Sequence, residues 1–263
     1  MNRYFRLFFL FFKIGLMRQM VYRPHFFMMV AGKVIRIALL FFFFQAIFLK
    51  IDRIGQWTYD QVLLLFATFH VVDYLMSITF YRNLASHLPG KIQTGDLDGR
   101  MLLPANLLFF ISFESLDLAD FFSFLPSLAF LGYVLYRLDL SFSWPQFICY
   151  VLLVLNALVF LYAMVLIIAT VSFWTTQSYG LARIFDNLMK IGRYPLDIFE
   201  GFARVIFIYV FPLIFIAQLP SEALLRALSP GFILYAFGFT GLCVAAALAF
   251  WRVGLRNYLS ASS

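Results

Sequence analysis

Apolar residues in this chain neither alternate nor follow a narrow helical stripe; they come in long blocks, separated by short clusters of charge, proline and glycine. A helix needs about 20 mainly apolar residues to cross bilayer hydrocarbon, and on that criterion the blocks predict crossings over 27–49, 59–80, 118–136, 147–171, 202–217 and 232–250. The first is built on Val34 to Leu49, and Lys33 and Arg36 near its start are long enough to reach toward headgroups. The third is preceded by Met101 to Phe113, apolar but broken by Pro104, and by Glu114, Asp117 and Asp120, a pattern that suggests an interfacial helix before the crossing. The fifth has only Val205 to Ala217 as its apolar core and must be extended back to Phe202; Pro212 is tolerated there if neighbouring helices satisfy the freed carbonyls.

Composition excludes a water-soluble alternative. Charged residues make up 13% of the chain, against roughly 25% in soluble domains, and no stretch has the mixed composition needed for a soluble domain. The expectation is an all-α integral membrane protein, a single domain over 1–263. Six crossings put both termini on one side. With that side taken as cytoplasmic, every Lys and Arg falls inside except Lys50, Arg53, Arg137 and Arg226, as the bias of basic residues toward cytoplasmic loops requires. The net charge of +7 then reflects orientation and attraction to anionic lipid headgroups. A nucleic-acid partner is not expected, because the basic residues form no dense stripe. The phenylalanine runs need no cofactor, since phenylalanine suits a lipid-facing surface. Cys149 and Cys243 lie in apolar runs and read as small hydrophobes, and Lys13 interrupts the amino-terminal apolar run, so no cleaved signal peptide is expected.

Several chemistries can be tested by spacing. Nucleotide hydrolysis calls for Gly-Lys followed by Ser or Thr; Gly32-Lys33-Val34 and Gly90-Lys91-Ile92 do not fit, so any ATP and magnesium belong to a separate subunit. His25, His70 and His87 lack the spacing of a zinc hydrolase. Asp96-Leu97-Asp98-Gly99 superficially matches the start of membrane phosphoalcohol transferases, but no second acidic set follows to hold a metal. His70 and Asp73, three residues apart, share one face of the second crossing. They either pair with polar groups of another helix or form an ion site, the second leading to an ion-coupled secondary transporter or channel. Glu114, Asp117 and Asp120 drift around one helical surface and read as interfacial acids meeting basic neighbours, with a proton pathway as the alternative.

The stretch from Lys91 to Pro104 carries a resemblance. Ile92, Gly95, Leu97, Asp98, then Leu102 or Leu103, and Pro104 follow a pattern of Ile, two residues, Gly, one residue, Leu-Asp, then Leu and Pro, which is similar to a loop of the ATP-binding-cassette type-2 export permeases. Tyr22-Arg23, Gly55-Gln56-Trp57, Phe173-Trp174 and Tyr194-Pro195 extend the likeness over nearly the whole chain. The resemblance implies a bacterial inner-membrane permease that moves an amphipathic, lipid-like or peptide-like substrate outward. It implies two permeases in a lateral pair, identical or homologous, each engaging a cytoplasmic ATPase. Residues 5–20 would form an amphipathic interface helix, and 84–100 a coupling loop in which Ile92, Gly95, Leu97, Asp98, Arg100 and Pro104 transmit ATP-driven closure. Residues 181–200 are expected to form a second cytoplasmic contact, and 218–230 resembles the place of short re-entrant helices at the outer mouth.

Overall fold

In a computed structural model, residues 2–19, 23–139, 143–175 and 179–258 are described; Met20, Tyr22 and the Ser-rich tail from Leu259 lie outside them. Among these residues every element is helical. The expected interface helix is α1, Asn2–Gln19. It is followed by α2, Arg23–Phe48, and α3, Tyr59–Met76. Next come α4, Leu88–Thr94, α5, Asp96–Met101, and α6, Leu107–Phe113. The chain continues with α7, Leu118–Arg137, α8, Trp144–Thr170, and α9, Tyr179–Ile191. The last are α10, Gly201–Val205, α11, Gln218–Leu225, and α12, Pro230–Arg256. Among the described residues, five helical stretches are long and apolar enough to cross a membrane: Phe26–Phe48, Tyr59–Tyr81, Ala119–Arg137, Trp144–Phe173 and Pro230–Arg256.

The centre of the bundle is α3, whose residues Val62 to Val72 are all buried. A helix that is apolar on every side belongs in an interior, and α3 is enclosed by α2, α7, α8 and α11. Trp57 precedes it at one end of the bundle, and Gly95 follows it toward the other. Neighbouring helices can be placed along this axis. Arg137, closing α7, pairs with Asp60 at 3.1 Å near the Trp57 end. Tyr150 of α8 sits within 3.3 Å of Thr68, and Tyr162, further on, packs on Phe80, so α8 descends toward the Gly95 end. There α12 meets it closely: a Cβ on Gly254 would lie 2.6 Å from Phe173 Cδ2 and 2.8 Å from Thr170 Cγ2. Glycine allows this approach.

Two expectations are corrected. Residues 202–217 do not form a continuous crossing. Helix α10 and a π-helical turn, Ile206–Val210, lead to Phe211, where the α conformation ends before Pro212. Proline disfavours helix in the residue before it, and here the chain reverses. Phe211 packs on Phe160 in the middle of α8, while Arg204 on one arm bonds Asp197 near Trp57, and Arg226 after the other arm lines the same cavity as Trp57. This is a hairpin dipping into the bundle from the Trp57 end, and α11 is buried within it. The length of the bundle is instead traversed by α9 and its extension. Phe185 stacks on Tyr81, Tyr194 lies against Phe44, and Trp57 Nε1 donates to Asp197 Oδ2 at 3.0 Å. Residues 181–200 therefore do not gather at the Gly95 end. Of their charges, Asp186, Arg193 and Asp197 are half-buried against neighbouring helices, while Arg183, Lys190 and Glu200 are exposed.

The expected loop at 84–100 is helical too. Beyond Met76, α3 continues through π-helical turns, Ser77–Tyr81 and Asn83–His87, into α4. Leu84, Leu88 and Ile92, four residues apart, bury one stripe. The turn comes only at Gly95, whose φ of 77° lies in the left-handed region that glycine adopts without strain.

Candidate functional site

Three places concentrate polar side chains in this apolar molecule: a cavity lined by α2, α3, α7 and α9, the elbow around Gly95, and a hollow at the Trp57 end.

The cavity, about 340 Å³, is lined on α3 by His70, Asp73, Tyr74, Ser77 and Tyr81. The π-helical turn at Ser77–Tyr81 inserts an extra residue into the helix, a distortion common at functional sites. Asn83 anchors it, its amide nitrogen reaching the carbonyls of Ser112 at 2.9 Å and Ser115 at 2.8 Å. Helix α2 contributes Lys33 and Arg36; α9 contributes Asp186, Lys190 and Arg193. Spacings of four and three put these α9 residues on one face.

Most of the carboxylates here are engaged. Asp120 pairs with Lys33, Asp117 with Arg82, and Asp186 accepts from the Tyr81 hydroxyl. Glu114, nearer Gly95, takes both Lys91 and Arg100. The acids at 114, 117 and 120 thus each meet a basic partner from the α3 side or from α2. The cations are less well matched. Among the described residues Arg36, Lys190 and Arg193 have no carboxylate within ion-pair distance; Lys190 donates to Asn187 at 3.0 Å, and the Arg193 guanidinium lies 5.2 Å from the centre of the Tyr194 ring. His70 is 2% exposed, its ring edge-on to Phe66, and neither ring nitrogen has a hydrogen-bond partner.

His70 and Asp73, paired by their spacing in the sequence, do share this cavity. The other wall, Asp186, Lys190 and Arg193, escaped sequence reasoning, which placed them in a cytoplasmic segment. The four- and three-residue spacing of charges in an apolar background was the available signal.

At the elbow, Ile92 and Leu97 are buried, Leu97 fully, so they hold the turn together and present little surface. Arg100 Nε donates to Glu114 at 2.9 Å, and Asp98 lies beside Tyr258, beyond the end of α12. Burial and then the Asp98 carboxylate push the Tyr258 phenol up to about 12. What the elbow exposes is Asp96, Gly99 and the strip from Met101 to Pro104, with Leu102 86% exposed. A larger hollow, about 670 Å³, opens at the Trp57 end between the Gly55-Gln56-Trp57 turn and the hairpin. There Glu222 is buried against Gln218 and bonded by Arg226.

The family of ABC-2 transporter proteins matches this chain over residues 34–262. No curated protein and no solved structure matches it.

Proposed function

Because this chain belongs to the ABC-2 family of transporter proteins, and so is the membrane permease subunit of an ABC transporter, we propose that it is the permease of an ATP-driven exporter whose ATPase docks at the Gly95 elbow. The observation that carries the reading is the elbow itself: a rigid turn with buried Ile92 and Leu97 that displays an apolar strip, Met101 to Leu103. Exposed apolar residues beside charged ones suit docking of a protein partner. The elbow joins α3 to α6, so a push on it reaches the central helix directly.

In this reading the Gly95 end is cytoplasmic and α9 makes the sixth crossing. Arg3, Arg6 and Lys13 of α1, with Arg82, Lys91, Arg100, Arg183, Arg252 and Arg256, then lie toward the inside, against Lys50, Arg53, Arg137, Arg204 and Arg226 outside, a balance that favours this orientation. The hairpin of α10 and α11 caps the outer mouth. Helix α1 rests its aromatic residues on α6 through Tyr4, Phe8 and Phe11 and exposes Phe5, Phe9 and Met17, as a helix lying in the interface does. The permease pairs with a second, identical or homologous copy in a bacterial inner membrane and carries an amphipathic substrate outward. ATP and magnesium are held by the ATPase.

A cation-coupled transporter or channel built on His70 and Asp73 is less well supported, because Arg36, Lys190 and Arg193 on the same walls repel a cation. The test is affinity purification in mild detergent with mass spectrometry of what stays bound. A soluble ATPase that hydrolyses ATP in the complex is the expected result; the chain alone, driving transport from a proton gradient without any ATPase, contradicts it.

A further inference from the structure

We propose that the cavity between α2, α3 and α9 is a substrate site that receives the anionic, phosphate-type headgroup of an amphiphile. The inference rests on the exporter reading above and names the substrate class.

Charge comes first. Among the lining residues Lys33, Arg36, Arg82, Lys190 and Arg193 face Asp73, Asp120 and Asp186. Lys33 and Arg82 are neutralised by Asp120 and Asp117; Asp186 accepts from the Tyr81 hydroxyl and keeps its charge. This leaves Arg36, Lys190 and Arg193 facing Asp73 and Asp186, with Arg193 half-buried and Arg36 and Lys190 exposed. Ionised groups at membrane depth pair with one another or mark the path of a charged ligand. Two carboxylates do not balance three cations, and the surplus positive charge suits an anionic ligand.

Geometry agrees. The two guanidinium groups stand on different helices, α2 and α9, and a phosphate accepts such planar forks in bidentate fashion. The buried Arg193 Nε lacks a hydrogen-bond partner, as do both nitrogens of His70, on the wall between them. A buried polar atom without a partner is costly, and an anionic oxygen accepts from Arg193 Nε and from whichever His70 nitrogen carries the proton.

The amphiphile follows from what adjoins the charge. Helix α2 also walls an apolar groove of about 390 Å³ with α7, in which Val34, Ile37 and Phe41 face Pro126, Phe130 and Tyr133. Val34 and Ile37 directly follow Lys33 and Arg36 in sequence. One helix thus sets basic groups for a headgroup beside an apolar groove for a chain.

Native mass spectrometry of the full chain, with whatever ATPase accompanies it, tests this with three probes: dioleoyl phosphatidylglycerol, dioleoyl phosphatidylcholine and inorganic phosphate. The expected result is retention of phosphatidylglycerol over phosphatidylcholine by at least about tenfold, with little binding of inorganic phosphate. Combining Arg36→Gln with Arg193→Gln is expected to abolish the preference. Asp73→Asn is expected to strengthen it, a gain that misfolding cannot mimic. Equal retention of both lipids, or a preference untouched by all these variants, overturns the proposal. Inorganic phosphate binding as tightly as the anionic lipid overturns the assignment to an amphiphile. A dimer lost with Arg36 and Arg193, without any lipid preference, overturns it in favour of ion pairs between copies. Lipid retention is read without nucleotide, so failure of the ATPase to co-purify and failure of the headgroup site are separate outcomes.

Discussion

The indole nitrogen of Trp57 donates to the Asp197 carboxylate across 3.0 Å, tying the turn between α2 and α3 to the chain just beyond α9. Beside it, Gly55 has a φ of +58°, and a Cβ there would sit 2.6 Å from Asp197 Cβ. This contact fixes which end of the bundle residue 197 occupies, and hence that α9 runs the whole way.

Its energetics can be measured. Trp57→Phe removes one hydrogen bond while Arg204 still holds Asp197 at 2.7 Å, so a loss of about 1 kcal/mol is expected. Gly55→Ala combines a left-handed backbone with a clash and should cost more, on the order of 2 kcal/mol. Thermal unfolding in detergent gives the order; Trp57→Phe proving the more damaging would contradict this account of the turn.

The path of α9 predicts accessibility. In a background lacking Cys149 and Cys243, Glu200→Cys should react with an impermeant maleimide from the same side as Ser229→Cys and from the opposite side to Gly99→Cys. A single crossing at 202–217 would put Glu200 with Gly99 instead.

These differences show what the chain makes legible. Five of the expected crossings announce themselves because lipid tolerates only long unbroken apolar runs, and the helices observed at 59–76 and 118–137 begin where the blocks do. Helix α9 is hidden because Asp186, Lys190 and Arg193 interrupt its apolar run, and they line the cavity against α2 and α3, where charge is permitted. The hairpin misleads for the converse reason: Leu213 to Ala217 are apolar because protein buries them, not because they span lipid. At 84–100 glycines and charges suggested a loop, yet Leu84, Leu88 and Ile92 keep a helical period. Of the candidate site, His70 and Asp73 were readable from spacing; Arg36 on α2 and Arg193 on α9 join them only through the fold.

Close packing at the Gly95 end has its own test. Gly254→Ala places a methyl against Phe173 and Thr170, and overpacking of this kind costs about 1–3 kcal/mol. Gly238→Ala, on the same helix with open space around it, is the control and should be nearly neutral. Similar melting temperatures for the two variants would contradict the close approach of α12 to α8.

Tyr258 supplies a pH dependence. Burial and then Asp98 push its phenol up to about 12 in the folded protein, from the ordinary 10.0 of the unfolded chain. The folded state therefore binds this proton more tightly, so its contribution is intact below pH 10 and is lost as pH rises from 10 to about 12. Tyr258→Phe should flatten that part of the unfolding profile; an unchanged alkaline slope would remove Tyr258 as its source.

The elbow as docking site is tested most directly by placing a photo-crosslinking amino acid at Leu102 in intact cells and identifying the captured protein by mass spectrometry. Capture of a soluble nucleotide-binding ATPase from Leu102, and none from the same probe at Glu200, is the result the exporter reading predicts. Capture of lipid alone at Leu102, under conditions where the chain is inserted and folded, would contradict it.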